Sequence, residues 1–398
     1  YNDRASAIKK TQNQQGGARL GKVYIFFGKG AKRNGRISLE SADASLVGAQ
    51  VADEAAHVRG VGDINGDGID DFIVGAGFND QNGQDAGKVY VFFGKPRNQW
   101  GPNEAMEAVC NASFLGENAG DWAGHRVSNV GDVNGDGYAD FIVGANKTDL
   151  GGEIDNGTVY LILGKPTAQW GKDVSLNQAD ASWVGAGRDN MGWGVGNRIG
   201  DVDGDGLDDI IFNSNKSKYI FILAKNIQYT LSQVATEAAD VVFSHGGVVW
   251  DNIGHDVSSV GDLNGDGLKD FIIGNSAVST DGKTGVGKAY LFYGRETWPA
   301  TINMEDADAI FVGEFANDNA GFSVSGGGDV NKDGSPDILI SAWHNSDGGV
   351  NAGKTYLFLT EPLSFRVLVP NGGEVWYAGQ TETIYWVKTD EVNKVKIE

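Results

Sequence analysis

Residues 62–76 read GDINGDGIDDFIVGA, and the same order of acids, glycines and apolar residues returns four more times. The further copies are GDVNGDGYADFIVGA at 131–145, GDVDGDGLDDIIFNS at 200–214, GDLNGDGLKDFIIGN at 261–275 and GDVNKDGSPDILISA at 328–342. Their first aspartates lie 61 to 69 residues apart. Recurrence at a nearly fixed spacing indicates a repeat architecture, in which each unit packs on its neighbours.

A second, apolar element follows every copy. It reads GKVYVFFG at 87–94, GTVYLILG at 157–164, SKYIFILA at 217–224, GKAYLFYG at 287–294 and GKTYLFLT at 353–360, and an extra copy, GKVYIFFG, stands at 21–28. Each repeat offers four short strand candidates rich in Val, Ile, Phe and Tyr, bounded by Gly, Asn and Asp. The second and third are almost continuously apolar, as expected of strands covered on both faces. The sequence therefore predicts an all-β fold of four-stranded antiparallel blades, a β-propeller with an incomplete first blade.

Composition narrows the function classes. The chain has 60 glycines but 7 prolines among 398 residues, which indicates many tight turns between strands. Its formal net charge of −21 argues against binding to nucleic acid and against a polybasic surface that binds membranes. No apolar run approaches the ~18 residues of a membrane-spanning helix, so no transmembrane segment is predicted.

The acidic loops have the pattern D-x-[DN]-x-D-G-x-x-D. Positions 1, 3 and 5 turn their oxygens to one centre, glycine at position 6 permits the reversal, position 7 offers its carbonyl and position 9 closes the cage. Hard oxygen ligands in flexible geometry suit Ca²⁺ better than Mg²⁺. We therefore predict about five Ca²⁺ ions. The predicted ligands are Asp63, Asn65, Asp67, Ile69, Asp71; Asp132, Asn134, Asp136, Tyr138, Asp140; Asp201, Asp203, Asp205, Leu207, Asp209; Asp262, Asn264, Asp266, Leu268, Asp270; Asp329, Asn331, Asp333, Ser335 and Asp337.

Two other interpretations of these loops are weaker. An EF-hand would place Glu at position 12 and continue into a helix, whereas here an apolar β-type run follows position 9. Simple Asn/Asp/Gly turns without metal would explain one loop, but not five copies that keep aspartate at positions 1, 5 and 9.

At this point the sequence resembles the FG-GAP repeat of integrin α subunits, of many bacterial surface proteins and of glycosylphosphatidylinositol-specific phospholipase D. The resemblance rests on V-G-D-x-N-G-D-G-x-x-D-φ-φ-φ-G-A followed by G-x-V-Y-φ-φ-φ-G, and it covers residues 1 to about 360. It implies six or seven blades, with calcium loops between the first and second strands on the lower face and partners on the upper face. Departures are Lys269, Lys332 and Pro336 in the loops. In the third repeat the connection after the second strand is short, and the third strand ends in Ala224 instead of glycine.

From about residue 363 the pattern changes. FRVLVPNGGEVWYAGQTETIYW at 365–386 alternates in β fashion and resembles the opening of the Ig-like modules of secreted bacterial proteins. We predict a propeller over 1–362 and the start of an incomplete Ig-like β domain over 363–398, within a longer multidomain surface protein.

The resemblance favours an extracellular or cell-surface adhesion or recognition module that binds a protein or a glycan. Two alternatives remain open: the propeller of a secreted enzyme, either phospholipase D-like or polysaccharide lyase-like, and a structural module of a surface filament. The sequence shows no nucleophile elbow, zinc helix or phosphate loop, so an enzyme is not expected.

Partner binding is expected on the face opposite the calcium loops. Loops between second and third strands and loops between consecutive repeats form that face, and they vary in length while the acidic loops do not. Three tryptophans in these loops are predicted to contact the partner, since Trp combines a large contact area with a polar atom. They are Trp122, Trp250 and Trp343.

Overall fold

The structure is a computed structural model that describes residues 5–10, 21–28, 36–48, 53–55, 57–214, 218–244, 253–361, 365–369 and 385–388. The regular secondary structure of these residues is mostly β-strand. The strands are β1 (Ala5–Lys10), β2 (Lys22–Phe27), β3 (Ala44–Val47), β4 (His57–Gly62), β5 (Asp71–Ala76), β6 (Lys88–Phe92), β7 (Glu104–Ala105), β8 (Ala112–Leu115), β9 (Arg126–Gly131), β10 (Asp140–Ala145), β11 (Thr158–Ile162), β12 (Val174–Ser175), β13 (Ala181–Val184), β14 (Ile210–Ser214), β15 (Lys218–Ile222), β16 (Gln233–Val234), β17 (Val241–Ser244), β18 (Ile253–Gly261), β19 (Asp270–Asn275), β20 (Lys288–Phe292), β21 (Thr301–Asn303), β22 (Ala309–Val312), β23 (Ala320–Gly328), β24 (Asp337–Ala342), β25 (Lys354–Phe358), β26 (Phe365–Val369) and β27 (Tyr385–Lys388).

Helices are single turns. The α-helices of the described residues are α1 (Met106–Val109) and α2 (Ala235–Ala238). The 3-10 helices are Leu39–Ser41, Arg97–Gln99, Thr167–Gln169, Leu176–Gln178, Ala224–Asn226 and Met304–Asp306. None of these helices is long and apolar enough to cross a bilayer.

The strands assemble into consecutive sheets, which we number 1 to 6. Their strand orders are β1-β2-β3-β7, β4-β5-β6-β8-β12, β9-β10-β11-β13-β16, β14-β15-β17-β21, β18-β19-β20-β22 and β23-β24-β25. Within each sheet, the successive strands of one repeat pair antiparallel, as the sequence predicts.

Apolar cores fill the spaces between consecutive sheets. In β10, Phe141 and Val143 face the core shared with sheet 2, whereas Ile142 faces the core shared with sheet 4. Every residue of β5, β6, β10, β11, β19 and β20 is buried. The continuous apolar runs therefore belong to strands covered on both faces, because successive side chains point in opposite directions.

The expectation of purely four-stranded antiparallel blades is wrong at the outer edges. Four short strands, β7, β12, β16 and β21, each run parallel to the outer strand of the preceding sheet. Each comes from the connection that leads to the next outer strand, so consecutive sheets are joined by hydrogen bonds as well as by apolar packing. Two or three residues carry too little periodicity to be found from sequence.

The first, fourth and last sheets depart from the common plan. Residues 1–48 supply three described strands of sheet 1, of which the sequence predicts two; β1 is the additional one. Sheet 4 has no described first strand, and only an isolated bridge pairs Val195 with Phe212. Sheet 6 has three described strands, and Leu357 of β25 is 48% exposed.

The predicted Ig-like segment is described only in part. β26 and β27 pair antiparallel. The other residues of 363–398 lie outside the described residues, so the domain assignment stays a prediction.

Candidate metal centres

The first acidic loop turns the chain from β4 into β5. Gly62 ends β4 with a φ of 79°, a left-handed conformation that glycine adopts easily. Asp63 follows: its Oδ1 accepts the N–H of Gly66 at 2.7 Å and of Asp67 at 3.2 Å, and its Oδ2 accepts the N–H of Gly68 at 2.7 Å. Such charge-assisted bonds are shorter and stronger than neutral ones, so position 1 fixes the path of the loop.

All five loops share this internal bonding. The position 1 carboxylate accepts the position 6 N–H in each loop, from Gly68 at 2.7 Å, Gly137 at 2.8 Å, and Gly206, Gly267 and Gly334 at 2.9 Å. The position 5 carboxylate accepts the position 7 N–H, from Ile69, Tyr138 and Leu268 at 2.9 Å and from Leu207 and Ser335 at 2.8 Å. Metal coordination by the position 7 carbonyls stays a prediction.

The third loop brings three carboxylates to one point. Oxygens of Asp201, Asp203 and Asp209 lie within 4.8 Å of one another. Calcium binds oxygen at about 2.3–2.6 Å, so one ion at their centre reaches all three. The other loops carry Asn at position 3, and its Nδ2 donates to the position 5 carboxylate; this holds for Asn65, Asn134, Asn264 and Asn331. These donor sets consist of oxygen atoms and fit Ca²⁺.

Position 9 joins each loop to the end of the third strand. Asp71 accepts the N–H of Ile64 at 3.0 Å on Oδ2 and the N–H of Gly94 at 2.6 Å on Oδ1. Asp140, Asp209, Asp270 and Asp337 accept equivalent bonds from Gly164 at 2.7 Å, Ala224 and Gly294 at 2.8 Å and Thr360 at 3.0 Å. A Cβ on Gly94 would lie 2.3 Å from Cγ2 of Ile69, which explains the recurring glycine. Sequence reasoning missed this contact, although that glycine was its signal.

Burial raises the pKa of the position 9 carboxyls in the first four loops. It raises the pKa of Asp71, Asp140 and Asp270 to about 7 and that of Asp209 to about 8, and other aspartates of the same loop raise each value further. The ionised carboxylates are therefore costly in the absence of a cation. A bound divalent ion would offset this repulsion.

Neighbouring loops are hydrogen-bonded in series. The position 1 carbonyl of one loop accepts the position 8 N–H of the next: Ala139 donates to Asp63 at 3.0 Å, Asp208 to Asp132 at 3.1 Å and Lys269 to Asp201 at 2.9 Å. The fifth loop carries Pro336 at position 8, which has no N–H to donate. The series therefore joins the first four loops and stops before the fifth.

Position 7 side chains pack over the preceding loop. A Cβ on Gly66, at position 4 of the first loop, would lie 2.6 Å from Cε1 of Tyr138. At position 4 of the next two loops, a Cβ on Gly135 would lie 3.0 Å from Cδ2 of Leu207, and a Cβ on Gly204 would lie 2.9 Å from Cδ2 of Leu268. These predicted ligands thus have a second role, in spacing adjacent loops. The fifth loop carries Lys332 at position 4, with a φ of 65°.

The tryptophans predicted to bind a partner differ in exposure. Trp122 is half-buried, with its ring 4.9 Å from Phe78 and 5.8 Å from His125 between centroids. Trp343 is 47% exposed and stacks on His344 at 3.6 Å. Trp250 lies outside the described residues. Trp343 is therefore the more accessible of the two that the structure describes.

A cavity of about 410 Å³ is lined in part by His344, on whose ring Trp343 stacks. Its walls include Phe315, Asp318, His344 and Asp347, which come from the loop before β23 and the loop between β24 and β25. Phe315 is 56% exposed, and Asp318 is buried and accepts the Nδ2–H of Asn345 at 3.0 Å. The cavity thus combines an exposed aromatic ring with fixed polar groups.

Three segments of this chain match a known repeat. Residues 60–92, 123–162 and 256–292 match the model of the FG-GAP repeat. These three segments are similar to FG-GAP repeats. The matched segments hold the first, second and fourth acidic loops. The third repeat, whose third-strand run at 217–224 ends in Ala224, and the fifth repeat, whose loop contains Pro336, are not matched.

Integrin α chains are among the similar proteins. The chain is 28% identical to integrin alpha pat-2 of Caenorhabditis briggsae over 60% of its own length and 20% of that protein. It is 28% identical to integrin alpha-PS2 of Drosophila melanogaster over 45% of its length and 12% of that protein. The chain is 32% identical to a phosphatidylinositol-glycan-specific phospholipase D of Dictyostelium discoideum over 33% of its own length and 14% of that protein. The chain thus spans a fifth or less of these relatives.

Proposed function

We propose that this chain is a calcium-loaded β-propeller of an extracellular or cell-surface protein, and that it recognises a protein or glycan partner. The FG-GAP repeats, the similarity to integrin α chains and the cores between consecutive sheets support this function. The observation that carries it is the set of five acidic loops built on the same hydrogen bonds, of which the third brings the carboxylate oxygens of Asp201, Asp203 and Asp209 to one point.

Calcium would be held by the aspartate and asparagine oxygens of positions 1, 3, 5 and 9. When bound, the ion would supply positive charge that offsets repulsion among carboxylates. Because the loops contact one another and the ends of third strands, a filled site would stabilise two adjacent sheets. The protein's own groups fix the loop path, and the cation would stabilise it further.

Recognition would use the opposite face. Trp343 and the cavity lined in part by its stacking partner His344 provide an exposed aromatic surface with fixed polar groups, a combination suited to a sugar ring or a peptide side chain. The short loops of the calcium face are occupied with their own hydrogen bonds. The longer loops of the other face are free to carry specificity.

A binding array tests this function. The chain is applied to arrays of extracellular-matrix proteins and of glycans, in calcium and in EGTA. We expect hits that require calcium, that release no product from the bound ligand, and that weaken in Trp343→Ala. Absence of any calcium-dependent hit on either array would contradict recognition, and product release would favour the enzyme alternative.

Tyr229→Ala is the matched control. Tyr229 is also 47% exposed, but burial and the aspartates of the second acidic loop raise its pKa, which places it near that loop. Loss of binding in Tyr229→Ala with binding kept in Trp343→Ala would show that the partner docks on the calcium face. Self-association of the chain in light scattering would favour the filament alternative.

A further inference from the structure

The first strands of sheets 2, 3, 5 and 6, together with Asn197 in the segment before β14, carry a row of polar side chains, which we call the inner polar row. It consists of His57, Arg59, Arg126, Ser128, Asn197, Asp256 and Ser323. Contacts run from sheet to sheet along it. Nη1 of Arg126 lies 2.8 Å from Nε2 of His57, Nδ2 of Asn197 donates to Asp256 at 3.4 Å, and Oγ of Ser323 donates to Asp256 at 2.7 Å. The row therefore lines one continuous inner surface.

Arg126 has an unusual environment in this row. Its Nη1 contacts the ring of His57 and donates to the carbonyl of His125 at 3.3 Å, and its Nε and Nη2 bond to no atom in the part of the chain that the structure describes. Neither of these contacts is with a carboxylate. Burial, followed by the charge of Arg59, lowers the pKa of Arg126 from its ordinary value. Arg126 is half-buried and forms no ion pair among the described residues, whereas charges removed from water are normally paired.

Arg59 adds a second positive charge at the same place. It is exposed, donates to the carbonyl of Val58 at 3.2 Å and, like Arg126, forms no ion pair among the described residues. Arg59 stands two residues after His57 in β4, on the same face of that strand, and Arg126 contacts His57. The two guanidinium groups therefore share one surface, although the chain has a net charge of −21. An acidic chain has many carboxylates with which to neutralise them.

Asp256 is a carboxylate whose charge acts on both arginines. Burial raises its pKa, and the charge of Arg59 partly opposes that rise. Its oxygens are engaged by Ser323, by the N–H of Val324 at 3.2 Å and by Asn197. It therefore influences the two arginines without bonding to either.

We propose that Arg59 and Arg126 form a binding site for a carboxylate ligand on the inner polar row. The guanidinium fork matches the two oxygens of a carboxylate, and the free Nε and Nη2 of Arg126 are a ready pair of donors. His125, whose ring lies 5.8 Å from Trp122 and 5.4 Å from Trp193, provides an aromatic border that lowers the local dielectric.

Fluorine NMR with trifluoroacetate as the carboxylate probe tests this site. We expect saturable broadening of the trifluoroacetate signal on adding the chain, and none for the neutral analogue trifluoroacetamide at the same ionic strength. Arg126→Gln should weaken binding by about tenfold or more, since hydrogen bonds to charged groups contribute about 1.5–3 kcal/mol. Equal broadening of both probes, or unchanged binding in Arg126→Gln, would overturn the site.

Three variants make the result decisive. Arg59→Gln changes an exposed side chain, so it tests the site even if Arg126→Gln does not fold, and it should also weaken binding. Asp256→Asn removes a negative charge and should tighten binding severalfold. Arg198→Gln is the control, because Arg198 is exposed and already paired with Asp208 at 2.7 Å, and it should bind as the parent does. These measurements require neither a macromolecular partner nor calcium, so they stand or fall separately from the proposed function.

Discussion

Lys225 forms an ion pair with Asp203 inside the third acidic loop. Lys225 stands three positions after the end of its third strand. In three other repeats the basic residue at that place lies over a tryptophan ring: Lys95 over Trp100 at 4.2 Å, Lys165 over Trp170 at 5.1 Å and Arg295 over Trp298 at 4.7 Å. The third repeat has Ile227 and Tyr229 in that stretch instead of tryptophan. Without a ring to cover, the ammonium group reaches a predicted metal ligand.

Removing this ammonium group should strengthen calcium binding at the third loop. A cation must displace Lys225 from Asp203, and an ion pair with an exposed partner contributes about 0.2–1 kcal/mol. Lys225→Met is therefore expected to tighten one site by up to about fivefold in a chelator-competition titration. Lys165→Met, which alters the ring-stacked equivalent, should leave affinity unchanged. Equal effects of the two variants would contradict a specific role for Lys225.

Calcium removal should destabilise the whole chain. An ion that binds only the folded state adds about 2.7 kcal/mol per site at a hundredfold excess over Kd. Several linked loops should therefore lower the melting temperature markedly in EGTA, and calcium should restore it. Calorimetry with and without calcium checks this. A melt that is the same after complete metal removal would show that these loops do not bind calcium.

Removing the charge at position 5 or at position 9 of the second acidic loop should destabilise the protein in different ways. Asp140 is buried and accepts backbone N–H groups on both oxygens, so Asp140→Asn turns an amide NH₂ toward a donor. It should cost about 1–3 kcal/mol in EGTA, and more in calcium because a predicted ligand charge is lost as well. Asp136 is exposed, and Asp136→Asn keeps the oxygen that accepts the N–H of Tyr138 but turns its NH₂ toward Nδ2 of Asn134. It should lower the melt only slightly in EGTA and much more in calcium. Urea unfolding under both conditions separates the two outcomes.

Much of this architecture could be predicted from sequence because it depends on local patterns. The runs DFIVGA and VYVFFG predict the second and third strands of a repeat, since apolar residues at consecutive positions indicate a strand that is covered on both faces. The acidic loops were identified because their ligand spacing is local. The similarity to integrin α chains and the FG-GAP repeats agree with this prediction.

What sequence could not predict depends on contacts between repeats. The bond from Gly94 to Asp71 joins residues 23 positions apart, and the bond from Ala139 to Asp63 joins different sheets. The edge strand β7 has two residues and pairs with a strand about 60 positions earlier. Exposure of a tryptophan likewise depends on its neighbours in space, and so Trp122 and Trp343 look alike in sequence.

The hydrogen bonds between loops should contribute measurably to stability. Lys269 donates its N–H to the carbonyl of Asp201 at 2.9 Å, and Lys269→Pro removes that donor. Position 8 of the fifth loop already holds Pro336, so the backbone there accepts proline. We expect Lys269→Pro to be about 1 kcal/mol less stable than Lys269→Ala, the usual net contribution of one hydrogen bond. Equal stability of the two variants in urea unfolding would mean that this bond contributes little.

The two described tryptophans should separate stability from recognition. Trp122 is half-buried against Phe78 and His125, so Trp122→Ala should cost about 2 kcal/mol, roughly half of the loss for a fully buried Trp. Trp343→Ala removes a ring that is 47% exposed, so it should leave the melt within about 0.5 kcal/mol of the parent and weaken partner binding. Thermal unfolding with and without calcium, read beside the array signal, compares the two variants. If Trp343→Ala destabilises the chain as much as Trp122→Ala and keeps full binding, then Trp343 supports the fold, and the recognition surface lies elsewhere.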